Sequence, residues 1–436
     1  MKPRSATVIV GANFGDEGKG LAVDAIVGSN PDAAVIRFNG GAQAGHTVVT
    51  ADGRRHVFSH FGAGSFAGAA TFLSRFFVVQ PQIFAGESAE LAGIGVTPSV
   101  YIDPEARVTT PFDVLVNRWV EELRAGGRHG SVGVGFGETI ERAGRGYPLA
   151  VRDLGDDVSL TQALAAIRDA WLPARLAELG VPFTAERRRA AADPAVIGRY
   201  LAEIDVLRER ATPAPVDAVL GRERLVFEGA QGLLLDMDRG STFPYLTRSS
   251  TGIRNALAVA ADAGIGRLDV CYMTRAYLTR HGAGPLANEV PRLAFAEVVD
   301  PTNQPNPWQG VMRLAPLDLD LLRTTIAADL GDAAGAGIAV DAGIGVTCLD
   351  QVHACAEVVR SGVTTTIPRS RLATEIAAAV GLPLVLEAHG PTRTTVELAG
   401  HRAVPGRRIR ARMPAGLGRC PPNQGCHAGR EFAPWG

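Results

Sequence analysis

Lysine is almost missing from this chain: among its 44 lysine and arginine residues, Lys2 and Lys19 are the only lysines. The formal net charge is -1, which does not suggest a strongly basic face for nucleic acid. Long apolar runs are also absent at the amino terminus. The segment "MKPRSATVIVGA" carries a five-residue apolar run before glycine, too short for a signal-peptide core or a membrane span. A cytoplasmic protein without a membrane partner is expected. Cysteine is sparse and odd in number, with Cys271, Cys348, Cys355, Cys420 and Cys426 scattered along the chain, which fits reduced thiols better than a disulfide framework. Cys420, Cys426 and His427 in "RCPPNQGCH" could ligate a metal, but no second ligand pair of suitable spacing accompanies them.

What is present is the composition of a globular, enzyme-sized protein, with 46% hydrophobic and 20% charged residues in 436. Short β-branched runs end at glycine or polar residues: "TVIV" before Gly11, "AAVIRF" before Asn39, "RLVFEG" at 224–229, "RLDVCYMTRAYLT" at 267–279 and "LPLVLEAHG" at 382–390. Alanine- and leucine-rich helical patterns lie between them. Apolar strands alternating with helices predict an α/β fold, a mostly parallel sheet covered on both faces, with active residues at the carboxyl ends of the strands. One large domain over 1–400 is expected, with a helical insertion at 155–215. The Arg/Gly/Pro-rich segment 401–436 reads as a flexible tail, lacking the interleaved aromatics that stack on bases.

The scarce lysine falls inside "VIVGANFGDEGKGLAVDAIV", Val8 to Val27. A compact ammonium contacts phosphate as a point charge, a role a planar guanidinium fills poorly. The strand, glycine turn and helix suit an anion at a helix N-terminus. The ordinary phosphate-loop pattern nevertheless fails twice, since Asn13 stands in place of its first glycine and Gly20 in place of its Ser or Thr. The missing hydroxyl suggests another magnesium ligand, and Asp16 is the nearest candidate. A carboxylate beside phosphate requires an intervening cation or an uncharged part of a second substrate. A second glycine cluster, "RFNGGAQAGHT", ends the next strand and places His46 directly after Gly45, where an imidazole can give a proton to a phosphate oxygen.

Together, "GDEGKG" and "NGGAQAGHT" closely resemble the adenylosuccinate synthetase family of GTP-dependent ligases in purine biosynthesis. The resemblance continues in "FEGAQGLLLDMDRGSTFPYLTRSST", "TRAYLTRHGAGPLANE", "VTCLDQV" and "HGPTR". It implies that Asp16 removes the N1 proton of IMP so that O6 attacks the GTP γ-phosphate, with His46 assisting GDP departure and Lys19 stabilising the transferring group. It also implies Mg2+ on Asp16 and Gly45, and GTP contacts at Gly15, Glu17, Gly18, Gly20, Gly45, Thr47, Asp350 and Gly390. Gln43, Ser131, Gln231 and Thr247 fall at purine-nucleotide contacts. Arg145 is the nearest match to an arginine that reaches into the neighbouring subunit of a homodimer. Gln231, with a donor and an acceptor for a purine edge, also joins the catalytic set.

The resemblance weakens where L-aspartate is expected. The family carries an arginine-rich loop that grips both substrate carboxylates, whereas this chain reads "DPTNQPNPWQGVMRLAPLD", with Arg313 its only arginine. Thr302, Asn303 and Arg313 are the candidate amine-substrate residues, and Pro305, Pro307 and Trp308 suggest a rigid, more apolar wall. A different amine or an altered purine nucleotide is the alternative within the class. A catalytically silent nucleotide-binding regulator is the alternative outside it.

Overall fold

The computed structural model describes residues 4–28, 30, 32–238, 242–305 and 309–399. Pro307, Trp308 and the 401–436 segment, with Cys420, Cys426 and His427, lie outside the described residues.

Ten strands form the central sheet: β1 (Arg4–Gly11), β2 (Ala33–Arg37), β3 (Ala70–Leu73), β4 (Val100–Ile102), β5 (Ala211–Pro213), β6 (Arg224–Glu228), β7 (Ile265–Arg275), β8 (Ala339–Thr347), β9 (Leu384–Ala388) and β10 (Val396–Leu398). Their spatial order is β10-β9-β8-β7-β1-β6-β2-β3-β4-β5. All neighbours are parallel except β9 and β10. β2 is buried at every residue, as a strand covered on both faces must be, and this accounts for the unbroken apolar runs in the sequence. One core cluster packs Val8, Ile36, Phe72, Phe227, Val270 and Ile344 on one face. The other packs Ile9, Val35, Leu73, Val226, Cys271 and Met273.

Helices Asp157–Ala166, Leu172–Glu178, Ala185–Ala192 and Pro194–Arg210 occupy the segment between β4 and β5. Leu160, Leu164, Trp171, Leu176, Tyr200 and Ile204 join the second core cluster, so their apolar faces are buried against the main body.

The parallel register brings five strand ends to one edge. Ile9 pairs with Glu228, Glu228 with Arg37, Gly11 with Met273, and Arg275 with Thr347. The central position of β1, between β6 and β7, opens a crevice beyond its carboxyl end. Two small antiparallel hairpins wall this crevice: His46–Val49 with Arg55–Phe58, and Leu278–His281 with Met312–Ala315.

Candidate functional site

Beyond Gly11 the chain turns sharply and enters helix α1 (Lys19–Val27), with Gly18 as its N-cap in the left-handed region. Gly15 has φ 97° and Gly18 φ 80°, values that suit glycine. Asp16 holds φ 63° despite its side chain. Gln231, on the turn after β6, holds φ 65°. Two non-glycine residues in this sparsely populated region face one cavity, a concentration of backbone strain typical of working sites.

Glu17 organises the turn from inside. Its buried carboxylate accepts from Asn13 N at 3.0 Å, Gly15 N at 2.8 Å and Lys19 Nζ at 2.8 Å. A side chain at Gly11 would collide with Glu17 Oε2 and come within 2.8 Å of Lys19 Nζ. Glu17 therefore fixes the lysine and two backbone amides before any ligand arrives. Gly20 is explained as well: a Cβ there would approach His46 Cβ to 3.0 Å and Thr47 O to 3.1 Å. The His46 hairpin lies directly on the helix start, leaving no room for a hydroxyl side chain.

His46 is buried, and its Nδ1 lies 2.6 Å from Glu228 Oε1. Glu228 Oε2 accepts from Ala63 N at 3.1 Å and lies 3.9 Å from Arg37 Nε. This carboxylate fixes the ring orientation and leaves Nε2 buried without a protein partner, in a side chain lining the cavity. Burial pushes the His46 pKa below its ordinary value, against the raising effect of Glu228. Burial pushes Asp16 above the usual carboxylate range, against the Arg275 and Lys19 charges. An acid poised to hold a proton and an imidazole poised to release one share the cavity.

That cavity, of about 240 Å³, is lined by Gly15, Asp16, Gly18, Lys19, Gly20, Gln43, Gly45, His46, Thr47, Gln231, Arg275, Asp300, Thr302 and Asn303 among others. A second cavity of about 520 Å³ includes Ser131, Phe136, Tyr245 and Thr247 in its lining, and Gln43 and Gln231 line both. Both polar atoms of the Gln43 amide are buried without a partner, a costly state unless a ligand completes them.

The remaining candidates lie apart. Asp350 is exposed, and neither it nor Gly390 lines these cavities. Leu349 N donates to Ala388 O at 3.3 Å, so their two turns are neighbours at the ends of β8 and β9. Arg145 is exposed at the end of the Phe136–Gly144 helix and pairs with Glu141 and Glu178 at 3.0 and 2.9 Å. It enters neither cavity of its own chain. Arg313, the arginine of the candidate amine-substrate loop, lies on the strand Met312–Ala315 opposite Arg280. It pairs with Glu289, donates to Gly282 O and Gly284 O, and lines neither cavity.

Three residues that hold the site's side chains in place escaped the sequence reading: Glu228, Arg275 and Asp300. Arg275 donates to Asp16 O and pairs with Asp300 Oδ2 at 2.7 Å. Burial works to raise the Asp300 pKa, but Arg275 and Asn303 outweigh it and hold the carboxyl below its usual range. The one available signal was position, since Glu228 and Arg275 both end parallel strands.

A glycine turn with a lysine at a helix start, set beside a histidine–glutamate pair at the carboxyl edge of a parallel sheet, places the chain among phosphate-handling α/β folds. The sequence model described as adenylosuccinate synthetase matches residues 8–304, and the chain belongs to that family. It is 34% identical over 292 residues to adenylosuccinate synthetase of Cyanothece sp., covering 65% of this chain and 62% of that one. With the Sorangium cellulosum protein of the same name it shares 33% over 298 residues, 66% of each chain. The match thus spans slightly under two thirds of the length of these curated relatives. The fully ligated adenylosuccinate synthetase of Plasmodium falciparum has a similar fold, with TM-score 0.70 and 17% identity over 91% of this chain and 100% of that one. So does succinoaminodeoxyadenylate synthetase of cyanophage S-2L, bound to dGMP and to dATP as an energy donor, with TM-score 0.57, 17% identity and coverage of 91% and 96%. At that identity the two structures speak for the fold alone.

Proposed function

We propose that the protein is a GTP-dependent, magnesium-requiring ligase that phosphorylates the 6-oxo group of a purine nucleotide and joins the activated carbon to an amine. IMP and L-aspartate are the default pair. The observation that carries this reading is the meeting of Asp16, Lys19 and the Glu228-oriented His46 at one cavity. Binding alone requires neither a base nor an acid, which disfavours a silent regulator.

In the first step Asp16 takes the N1 proton, O6 forms a bond to the γ-phosphorus, and the bond to the β-phosphate oxygen breaks. His46 Nε2 donates to the departing diphosphate and Lys19 steadies the transferred charge. In the second step the amine nitrogen bonds to C6, the C6–O6 bond breaks, phosphate leaves with O6, and the amine nitrogen loses a proton. Asp16 and Gly45 offer hard oxygen donors at one cavity, a set that suits Mg2+ completed by phosphate oxygens and water. When bound there, Mg2+ supplies charge neutralisation of the phosphates. Gln43 and Gln231 are assigned to the purine nucleotide at the junction of the two cavities, with Ser131 and Thr247 further along the larger one. Asp350 and Gly390 are assigned to the guanine base, and Arg145 to the site of a second copy in a homodimer.

The test is GDP formation from GTP in the presence of IMP and amine. Asp16→Asn is expected to abolish it while nucleotide binding, followed by calorimetry, persists. Unchanged turnover in that variant refutes the role of Asp16. A parallel arm with ATP measures how strictly the base is read.

A further inference from the structure

The ligase reading leaves the amine donor open, and the charges around the cavity narrow it. Two lining residues are permanent cations, Lys19 and Arg275. Lys19 is held by Glu17 at 2.8 Å, and Arg275 by Asp300 at 2.7 Å. Both carboxylates are fixed in place: Glu17 by two backbone amides, and Asp300 by Thr302 N and Asn303 N at 3.0 Å each and Asn303 Nδ2 at 2.9 Å. Arg275 therefore cannot meet a further anion without leaving Asp300 exposed to it, and Lys19, already shared with Glu17, is assigned to the transferring phosphoryl group. From Asp300 to Arg313 the sequence carries no other ionisable side chain, and Arg313 is engaged with Glu289. Movement of the loop cannot bring a new positive charge into the crevice.

Arg280 lines the adjoining larger cavity, but its guanidinium is buried against Phe14 and donates to Pro285 O and Tyr245 O. Another cation stands at the rim. Arg55, exposed on the His46 hairpin, donates to Thr302 Oγ1 at 2.8 Å, and Thr302 Oγ1 lies 2.7 Å from Thr47 Oγ1. This arginine and its hydroxyl pair can meet a single carboxylate. A second carboxylate on the same small molecule would be left facing Asp300.

We infer that the amine donor is an α-amino acid with a neutral or cationic side chain, its one carboxylate held at Arg55 and Thr302 and its side chain directed toward Asp300. A dicarboxylate such as aspartate is disfavoured by this arrangement of charge. Selectivity here comes from repulsion as much as attraction, since Asp300 penalises the extra anion.

The inference rests on the ligase reading, and the experiment separates the two. The full chain is incubated with GTP and IMP, and positional isotope exchange within β,γ-bridge-labelled GTP reports O6 phosphorylation without any amine. GDP release is then followed with glycine, asparagine, lysine, aspartate, glutamate and hydroxylamine. The expected result is isotope exchange, together with kcat/KM at least about tenfold higher for a neutral or basic amino acid than for aspartate, the scale of one lost charge-assisted contact. Aspartate as the best donor overturns the inference, as does turnover with hydroxylamine and none with any neutral or basic amino acid. Absence of both isotope exchange and turnover refutes the ligase reading instead. Two variants sharpen the result. Asp300→Asn should raise relative use of aspartate, but Asp300 also orders its loop. Gln304→Arg, at an exposed position, adds a cation, keeps the Asp300 carboxylate and its bonds, loses only the Gln304 Nε2 bond to Asp300 O, and should raise kcat/KM for aspartate about tenfold. If the folded Gln304→Arg protein shows no gain, charge does not set donor choice.

Discussion

Replacing Glu228 with glutamine tests the chemistry of His46 with little change of shape. The wild-type carboxylate receives His46 Nδ1 at 2.6 Å and Ala63 N at 3.1 Å, with the Arg37 guanidinium 3.9 Å away. A glutamine can still accept from the ring through its oxygen, but it carries no charge. A charge-assisted hydrogen bond contributes about 1.5–3 kcal/mol and a neutral one about 0.5–1.5 kcal/mol, so protonated His46 loses roughly 1–1.5 kcal/mol of stabilisation. That corresponds to about one pH unit. Burial already lowers the His46 pKa and Glu228 opposes it, so removing the charge lowers the pKa further. The protonated ring, proposed to assist GDP departure, then disappears at lower pH. The expected result is that the high-pH decline of kcat moves down by about one unit, with roughly tenfold loss at neutral pH and KM for both nucleotides nearly unchanged. Steady-state kinetics across pH, with circular dichroism to confirm folding, reads this directly. A folded variant with an unshifted profile refutes the proposed pairing of Glu228 with an acid at His46.

Gly20→Ser restores the hydroxyl of an ordinary phosphate loop, yet it should lower activity and destabilise the protein by about 1–3 kcal/mol, since the new Cβ meets His46 and Thr47. Denaturant melts and GDP release check this, and a more active variant contradicts the packing argument. Glu87 accepts from Ser59 N and His60 N. Burial raises its pKa, but the His56 and His60 contacts and the backbone bond outweigh this and pull it down to about 2 from an ordinary 4.5. Its contribution to stability is fully present above pH 4.5 and is lost as pH falls toward 2, amounting to roughly 3 kcal/mol. Urea melts between pH 6 and 2 should show wild type losing stability more steeply than Glu87→Gln, and equal slopes would count against it.

The sequence discloses the phosphate end because its features are local. Gly15, Gly18, Lys19 and Gly20 lie within six residues, and the strand before them ends in the apolar run Val8–Val10. The sheet is legible for the same reason, since strands buried on both faces leave unbroken apolar runs. Glu228 is 182 residues from His46, and Arg275 is 259 from Asp16. Parallel pairing brings Glu228 and Arg275 to the edge where these contacts form, and nothing near either residue announces them. Glu17 shows a subtler limit: its acid is visible in the turn, but its grip on Lys19 and two backbone amides depends on how the turn closes. Arg313 shows the same limit from the other side: nearness along the chain made it a candidate, while its bonds to Glu289, Gly282 O and Gly284 O come from residues 24 to 31 positions away.

In the proposed reaction the 6-oxo group of a purine nucleotide is phosphorylated and then leaves as phosphate. Supplying IMP labelled with 18O at O6, with GTP and an accepted amine, and weighing the released phosphate by mass spectrometry tests it most directly. The expected result is one 18O atom in each phosphate formed, with Asp16→Asn producing none. Unlabelled phosphate, released at the same rate with or without IMP, would contradict it.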